Sequence, residues 1–307
     1  AIWVFDRVAR LTRLFLFGAP LANVTLLEDE ALKVVVPKPK HWKPVAGGFG
    51  FVYFLEPGYF WQSHPFTFYT STYAEVEDSV VFYCKIKGGI THSLHRKIAN
   101  SPGNTIQIRV AVEGPYGETS PSQNYDNAVF IATGNGIPGM YSEALNLALR
   151  SKTKENQLLK LYWVIRDYDS VKSFFKELVE LRKTRVKCII YVTRPLLKDV
   201  LDEIDLIFEL YGDWCGDWQS DVTVLDLAPQ KEEKNGEGEK DQVLESLLLV
   251  VSSNSSLVPL AIEELNHVEF HEGRPDIDNI VKHEITESAG STCFVTCGHP
   301  AVVDDLR

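Results

Sequence analysis

Between Val24 and about Gly117 the apolar positions fall in short runs rich in Val, Ile, Phe and Tyr: Ala31–Val36, Phe49–Leu55, Val80–Ile86 and Thr105–Val112. Pro and Gly clusters at Pro37–Pro39, Ala46–Gly48 and Ser101–Gly103 separate them. Short strands with regular turn signals predict a barrel or sandwich. After a hydrophilic link, Glu118 to Asp126, the period changes. Ala128–Thr133, Leu159–Ile165, Cys188–Val192 and a late Ser291–Cys297 read as strands, and Ile137–Arg150 and Ser170–Lys183 as helices. Strands alternating with helices predict βαβ units and a doubly wound parallel sheet. Pro229 to Gln242 carries eight charges without apolar periodicity, so a mobile surface insertion is expected near 228–243. No internal repeat is present.

Residues 1–17 predict a two-faced helix. Val4, Val8, Leu11 and Phe15 recur at helical spacing, with Asp6, Arg7, Arg10 and Arg13 on the opposite side and Trp3 and Phe5 at the start. Two readings are open: a juxtamembrane helix with arginines facing anionic headgroups, or a terminal helix docked on its own domain. No segment is apolar enough to span a bilayer; the longest uncharged run, Ser246 to Ile262, has Ser and Asn at its centre. The chain also starts without Met, as a piece of something longer is expected to.

Composition changes this picture little. With 307 residues, two self-sufficient domains are expected. A net charge of −11 argues against nucleic acid as a partner. Five Cys are too sparse for a disulfide framework and suit a reducing compartment.

Three clusters carry candidate chemistry. Ile131-Ala132-Thr133-Gly134-Asn135-Gly136-Ile137-Pro138-Gly139 runs from a buried strand through glycines into a helix. Such a turn is either a nucleotide pyrophosphate site, using free N–H groups at the helix N-terminus, or simply tight. Gly88-Gly89-Ile90-Thr91 opens a short helix after a strand and has the same two readings. Trp61-Gln62-Ser63-His64-Pro65-Phe66-Thr67 offers an extended kink, an apolar face and two hydrogen-bonding side chains. It suits a planar heterocycle with a polyol tail, or is an aromatic barrel strand. Cys293 and Cys297 share a strand face near His299, but zinc needs a fourth ligand, so no metal is assigned. His41, His92, His95, His267, His271 and His283 read as surface or capping residues, and no c-type haem motif occurs.

His64-Pro65-Phe66-Thr67, Gly114-Pro115-Tyr116-Gly117, the Thr133–Gly139 turn and Cys297-Gly298-His299-Pro300 occur in that order. As a set they resemble the dehydrogenase half of the ferric reductase and NADPH oxidase superfamily, a branch of the ferredoxin–NADP reductase-like enzymes. Trp163–Asp167 and Gly273–Asp276 support this. Gly-Asn-Gly-Ile-Pro-Gly, Cys-Gly-His-Pro and Val303–Arg307 resemble fungal metalloreductases more than animal oxidases. The match spans 1 to 307, broken mainly at 196–260.

The resemblance implies an antiparallel β-barrel FAD domain (21–118) followed by an α/β NADPH domain (125–307), with residues 1–20 a juxtamembrane helix. It implies that His64, Pro65, Phe66, Thr67, Phe68, Tyr69 and Thr70 line FAD, and that Gly88, Gly89, Ile90 and Thr91 hold its pyrophosphate. Gly114, Pro115, Tyr116 and Gly117, with Thr133, Gly134, Asn135, Gly136, Ile137 and Gly298, would seat NADPH. Cys297, with Thr67, would serve hydride transfer by positioning, without covalent chemistry. Arg166 would read the 2′-phosphate as a guanidinium fork, with Arg194 and Arg274 as competitors. In a chain of net −11, local arginines are needed to gather a polyanionic cofactor.

The resemblance also implies a flavin-covering aromatic tail and membrane helices with haem-ligating histidines, which are expected beyond this sequence. Haem b is expected in that membrane domain, which would be the chain's own partner. The implied place is the cytoplasmic face of a membrane, the plasma membrane first, with residues 1–17 on its surface. The implied activity is electron flow from NADPH through FAD and the haems to extracellular ferric or cupric ions. Alternatives are a superoxide-producing oxidase sharing every motif, a flavin- or nucleotide-binding module without turnover, and a membrane-anchored structural domain, which explains none of the glycine turns.

Overall fold

The computed structural model describes residues 2–27, 29–38, 42–70, 79–150, 157–194, 265–288 and 290–305. The charged insertion at 229–242 and His41 lie outside the described residues.

Six strands close an antiparallel barrel: β1 (Leu21–Leu26), β2 (Ala31–Pro37), β3 (Phe49–Phe54), β4 (His64–Tyr69), β5 (Ser79–Lys85) and β6 (Thr105–Tyr116). The order around it is β1-β2-β5-β4-β3-β6, and helix α2 (Gly89–Ile98) follows β5. The second unit is a five-stranded parallel sheet of β7 (Asn127–Thr133), β8 (Leu158–Ile165), β9 (Val186–Val192), β10 (Val268–Glu272) and β11 (Thr292–Cys297), ordered β10-β9-β8-β7-β11. Helices α3 (Ile137–Leu149), α4 (Asp169–Ser173) and α5 (Phe175–Leu181) pack on one face, α6 (Ile277–Glu287) and α7 (Pro300–Asp305) on the other. A barrel followed by a doubly wound parallel sheet is the expected ferredoxin–NADP reductase-like architecture.

Successive side chains of a strand point to opposite faces, and here both faces are buried on three barrel strands. Leu32, Val34 and Val36 of β2, Phe68 of β4, and Val80, Phe82 and Cys84 of β5 fill the barrel. Their neighbours Ala31, Val35, Tyr69, Val81 and Tyr83 join Phe130, Tyr141, Trp163 and Phe174 of the second unit in one core. The domain interface is therefore a hydrophobic core.

Phe174 explains why the expected helix 170–183 is two helices. Its backbone leaves the helical region (φ −118°, ψ 16°) between α4 and α5. The ring then lies fully buried among Tyr141, Tyr69, Trp163 and Tyr83, with centroids 5.2, 5.6, 5.7 and 6.1 Å away. Packing wins over helix continuity. Polar pairs flank the cluster: Lys33 Nζ and Tyr69 OH both reach Glu177 Oε1 at 2.8 Å, and Tyr83 donates to Asp29. Burial pushes the Asp29 carboxyl above its ordinary range, against the hydrogen bond from Tyr83.

Helix α1 (Ile2–Phe17) lies along β6. Arg10, Leu14 and Phe17 turn inward, and Arg10 Nη1 sits 2.9 Å from the buried Glu113 carboxylate. The expected apolar stripe of Val4, Val8, Leu11 and Phe15 is more than half exposed along its length. The helix is thus tied to its own barrel by an arginine taken from the expected polar face, and its apolar side is presented outward.

Candidate functional site

The turn between β7 and α3 is held from two sides. Trp163 Nε1 donates to Gly134 O at 2.9 Å, and His299 N donates to Thr133 Oγ1. The strand pair β7–β11 brings Cys297 beside Ala132, so the backbone after Cys297 lies directly against the turn. A Cβ on Gly136 would stand 2.7 Å from the Cys297 carbonyl carbon and closer still to its oxygen. A Cβ on Gly298 would meet the Thr133 backbone at 2.6 Å. Gly134, by contrast, has φ +51° and open space where its side chain would be. Asn135 Nδ2 is buried without a hydrogen-bond partner among the described residues. Ile137 N already donates to Gly134 O, and Pro138 has no N–H. The open glycine and the waiting Asn135 amide, at the positive end of α3, are therefore what the turn offers an anion such as a pyrophosphate.

On the barrel side, β4 pairs with β3 so that Thr67 faces Phe49 and His64 faces Val52. His64, Phe66 and Thr67 are half-buried and Pro65 is exposed. The two candidate sites meet: a Cβ on Gly139, in the first turn of α3, would lie 3.4 Å from Thr67 Cγ2. Gly114–Gly117 ends β6 beside them, with Gly114 at φ +154° and a cis Gly114–Pro115 bond. Tyr116 sits with its ring 5.7 Å from Phe49 and its hydroxyl on Glu113.

Several expected site side chains are turned away. Phe68 is buried in the barrel against Trp42 and Phe82, and Tyr69 is buried in the interface on Glu177. Their alternation puts one side chain in each core, leaving only backbone to offer a ligand. Thr70 follows the strand and is exposed. Ile90 and Ile137 are likewise core residues. Thr91 Oγ1 donates to Gly88 O at 3.0 Å and so closes the turn at α2, while Gly88 and Gly89 are exposed above it. Of the histidines read as surface or capping residues, His267 Nε2 is 2.9 Å from Leu178 O in the last turn of α5, and His271 stacks on Tyr191 at 4.9 Å.

The three arginines are neighbours. They follow β8, β9 and β10, adjacent strands, and Arg194 N donates to Arg166 O at 2.7 Å while Gly273 N donates to Val192 O. Arg166, Arg194 and Arg274 are all exposed at the carboxyl edge of the sheet, where such folds hold nucleotides. Burial pushes the Cys297 and Cys293 thiols up, so both stay neutral near pH 7 and neither is an activated nucleophile.

Glu143, which sequence reading did not single out, lies beside the candidate site. It is 4% exposed on α3, one turn from Gly139, and its carboxylate takes two hydrogen bonds from Ser120. The signal was available: a lone acid inside the stripe Met140, Tyr141, Ala144, Leu147.

Residues 16–120 match a family described as FAD-binding domain, and residues 125–307 one described as ferric reductase NAD binding domain. The chain is 47% identical over 310 residues to a probable ferric reductase transmembrane component of Candida albicans, covering 100% of this chain and 41% of that protein. It is also 47% identical to ferric/cupric reductase transmembrane component 1 of Candida albicans, covering 36% of that protein. A ferredoxin NADP+ reductase from Neisseria gonorrhoeae superposes with a TM-score of 0.48 at 13% identity, over 94% of this chain and 88% of that one. The chain thus spans about two fifths of the length of the relatives it matches. Among its described residues no helix is long and apolar enough to cross a membrane. The chain belongs to the fungal ferric/cupric reductase family, in which it is the part made of an FAD-binding domain followed by a ferric reductase NAD binding domain.

Proposed function

We propose that this chain takes hydride from NADPH onto FAD and passes electrons singly to haem b in a membrane domain of the same protein, for reduction of extracellular ferric or cupric ions. The family names of its relatives support the metal acceptor. The redox chemistry is supplied by the bound cofactors; the chain supplies binding, orientation and exclusion of water. In this reading the barrel (21–118) holds FAD and the sheet unit (125–307) holds NADPH. His64, Phe66 and Thr67 face the flavin, Gly88 and Gly89 leave room for its pyrophosphate, and Gly134, Asn135 and Gly136 take the NADPH pyrophosphate. Cys297, held neutral by burial, positions without bonding. Arg166, Arg194 and Arg274 form a cationic edge for the 2′-phosphate.

One observation carries the reading: the approach of Thr67 on β4 to Gly139 on α3, which puts the flavin strand against the nucleotide helix. Contact there brings the two proposed cofactor surfaces together, which transfer of hydride between two bound cofactors requires. The experiment is anaerobic mixing of the FAD-loaded chain with NADPH, then NADH, following flavin absorbance. Fast bleaching by NADPH and slow bleaching by NADH are expected. Bound flavin that stays oxidised with both would defeat the reading.

The exposed stripe Val4, Val8, Leu11, Phe15 supports residues 1–17 lying on the cytoplasmic surface of a membrane, the plasma membrane first. The chain should sediment with anionic vesicles and lose that binding when residues 1–15 are removed; equal binding by both forms would refute it.

A further inference from the structure

Burying a carboxylate is costly unless its oxygens are satisfied, and Glu143 is satisfied in a particular way. Oε1 accepts from Ser120 N at 2.9 Å and Oε2 from Ser120 Oγ at 2.7 Å. Ser120 lies in the link that leaves Gly117. On its other side Glu143 presses on Gly47, where a Cβ would stand 2.6 Å from Oε1. The next residue, Gly48, accepts from Phe68 N of β4 at 3.2 Å, and a Cβ there would stand 2.8 Å from Tyr116 O. One carboxylate therefore touches the nucleotide helix, the link after Gly114–Gly117, and the turn that seats β4.

We propose that Glu143 is a positioning residue for hydride transfer, setting the separation between the flavin strand at Thr67 and the nucleotide turn at Gly136. This rests on the dehydrogenase reading above. The carboxylate accepts from both Ser120 N and Ser120 Oγ. An amide keeps the first bond through its oxygen but turns its NH2 on Ser120 Oγ, whose hydroxyl must then swing to Ser122 Oγ 3.0 Å away. Its bulk is held against Gly47. A mismatch there moves α3 relative to β4 without touching either cofactor surface.

The test uses the full chain as Glu143→Gln and, as a milder change, Ser120→Ala. Glu143→Gln should lower the limiting rate of flavin bleaching by about tenfold or more, with half-saturation by NADPH held within about twofold. Ser120→Ala should show the same split, more weakly. Two readouts need no turnover: the long-wavelength flavin–nicotinamide charge-transfer absorbance should weaken, and the Ser120 amide of the cofactor-free chain should exchange faster in Glu143→Gln. Wild-type limiting rates and charge-transfer absorbance in both variants would overturn the proposal. So would a loss of rate and affinity in proportion to a lowered Tm, which marks a residue that only holds the fold. A wild-type chain that binds flavin yet is not bleached counts against the dehydrogenase reading, and charge-transfer absorbance and amide exchange then decide the role of Glu143.

Discussion

Gly136 is the position where the smallest change should do the most harm. An added methyl would stand 2.7 Å from the Cys297 carbonyl carbon and 3.0 Å from Gly298 Cα. Neither neighbour can swing away, because both are backbone. Cys297 is paired in register with Ala132, and Gly298 is itself pressed on Thr133. Carbon atoms want about 3.5–4.0 Å, so in Gly136→Ala the turn must retreat from β11 by roughly 1 Å. A misplacement of that size in a reacting pair costs about 100-fold in rate, or about 2.7 kcal/mol. The clash lies on the β11 side of the turn, so FAD affinity should fall far less than the bleaching rate. Gly134→Ala is the contrast: its site is open, and only the left-handed backbone is strained, by about 1–2 kcal/mol. The assay is stopped-flow bleaching of bound flavin by NADPH under nitrogen, with flavin affinity measured alongside. A Gly136→Ala protein that is bleached at the wild-type rate would refute the argument that Cys297 and the turn are held at contact distance.

Arg166→Ala should raise the KM for NADPH more than that for NADH, by up to about 3 kcal/mol for a lost charged hydrogen bond; equal effects would move the 2′-phosphate to Arg194 or Arg274. Phe174→Ala empties the centre of the interface and should cost about 3–5 kcal/mol in urea unfolding, with both domains melting together; a small loss would mean the units are merely adjacent. Asp29→Asn tests the raised carboxyl. A carboxyl raised in the folded state stabilises most below the unfolded value of about 3.9 and loses that contribution as pH rises through its folded value. The Tm of Asp29→Asn relative to wild type should therefore climb from pH 4 to pH 7; parallel curves would show that burial imposes no such penalty.

Periodicity revealed most of the second unit because parallel strands buried on both faces read as continuous apolar runs, as Ala128–Thr133 does. It missed β1, whose Leu21–Leu26 has only two fully buried positions, and β10, where Val268 stands among Glu269, His271 and Glu272. Helix α6 was missed although Asp276 caps it by accepting from Asn279 N. The other barrel strands were legible, but the lack of polar alternation in β2 and β5 was not recognised as a sign of a second core on the outer face. The glycine turns were found by local spacing. What made them functional was not local: Gly136 is required by Cys297, 161 positions later in the chain. Glu143 and Ser120 are likewise partners only through the fold.

The shared core also sets a timetable for synthesis. The barrel strands emerge from the ribosome first, yet Ala31, Val35, Tyr69, Val81 and Tyr83 stay uncovered until Phe174 and Leu178 arrive. The nascent barrel is therefore an aggregation hazard for the time taken to translate roughly another 60 residues, several seconds at ordinary elongation rates. The nucleotide turn waits longer still, because its backing strand is β11, the last in the chain. A premature stop between α5 and β11 would leave a covered barrel beside an unbacked turn: protein that accumulates and takes up flavin but has nothing against which to hold the nucleotide.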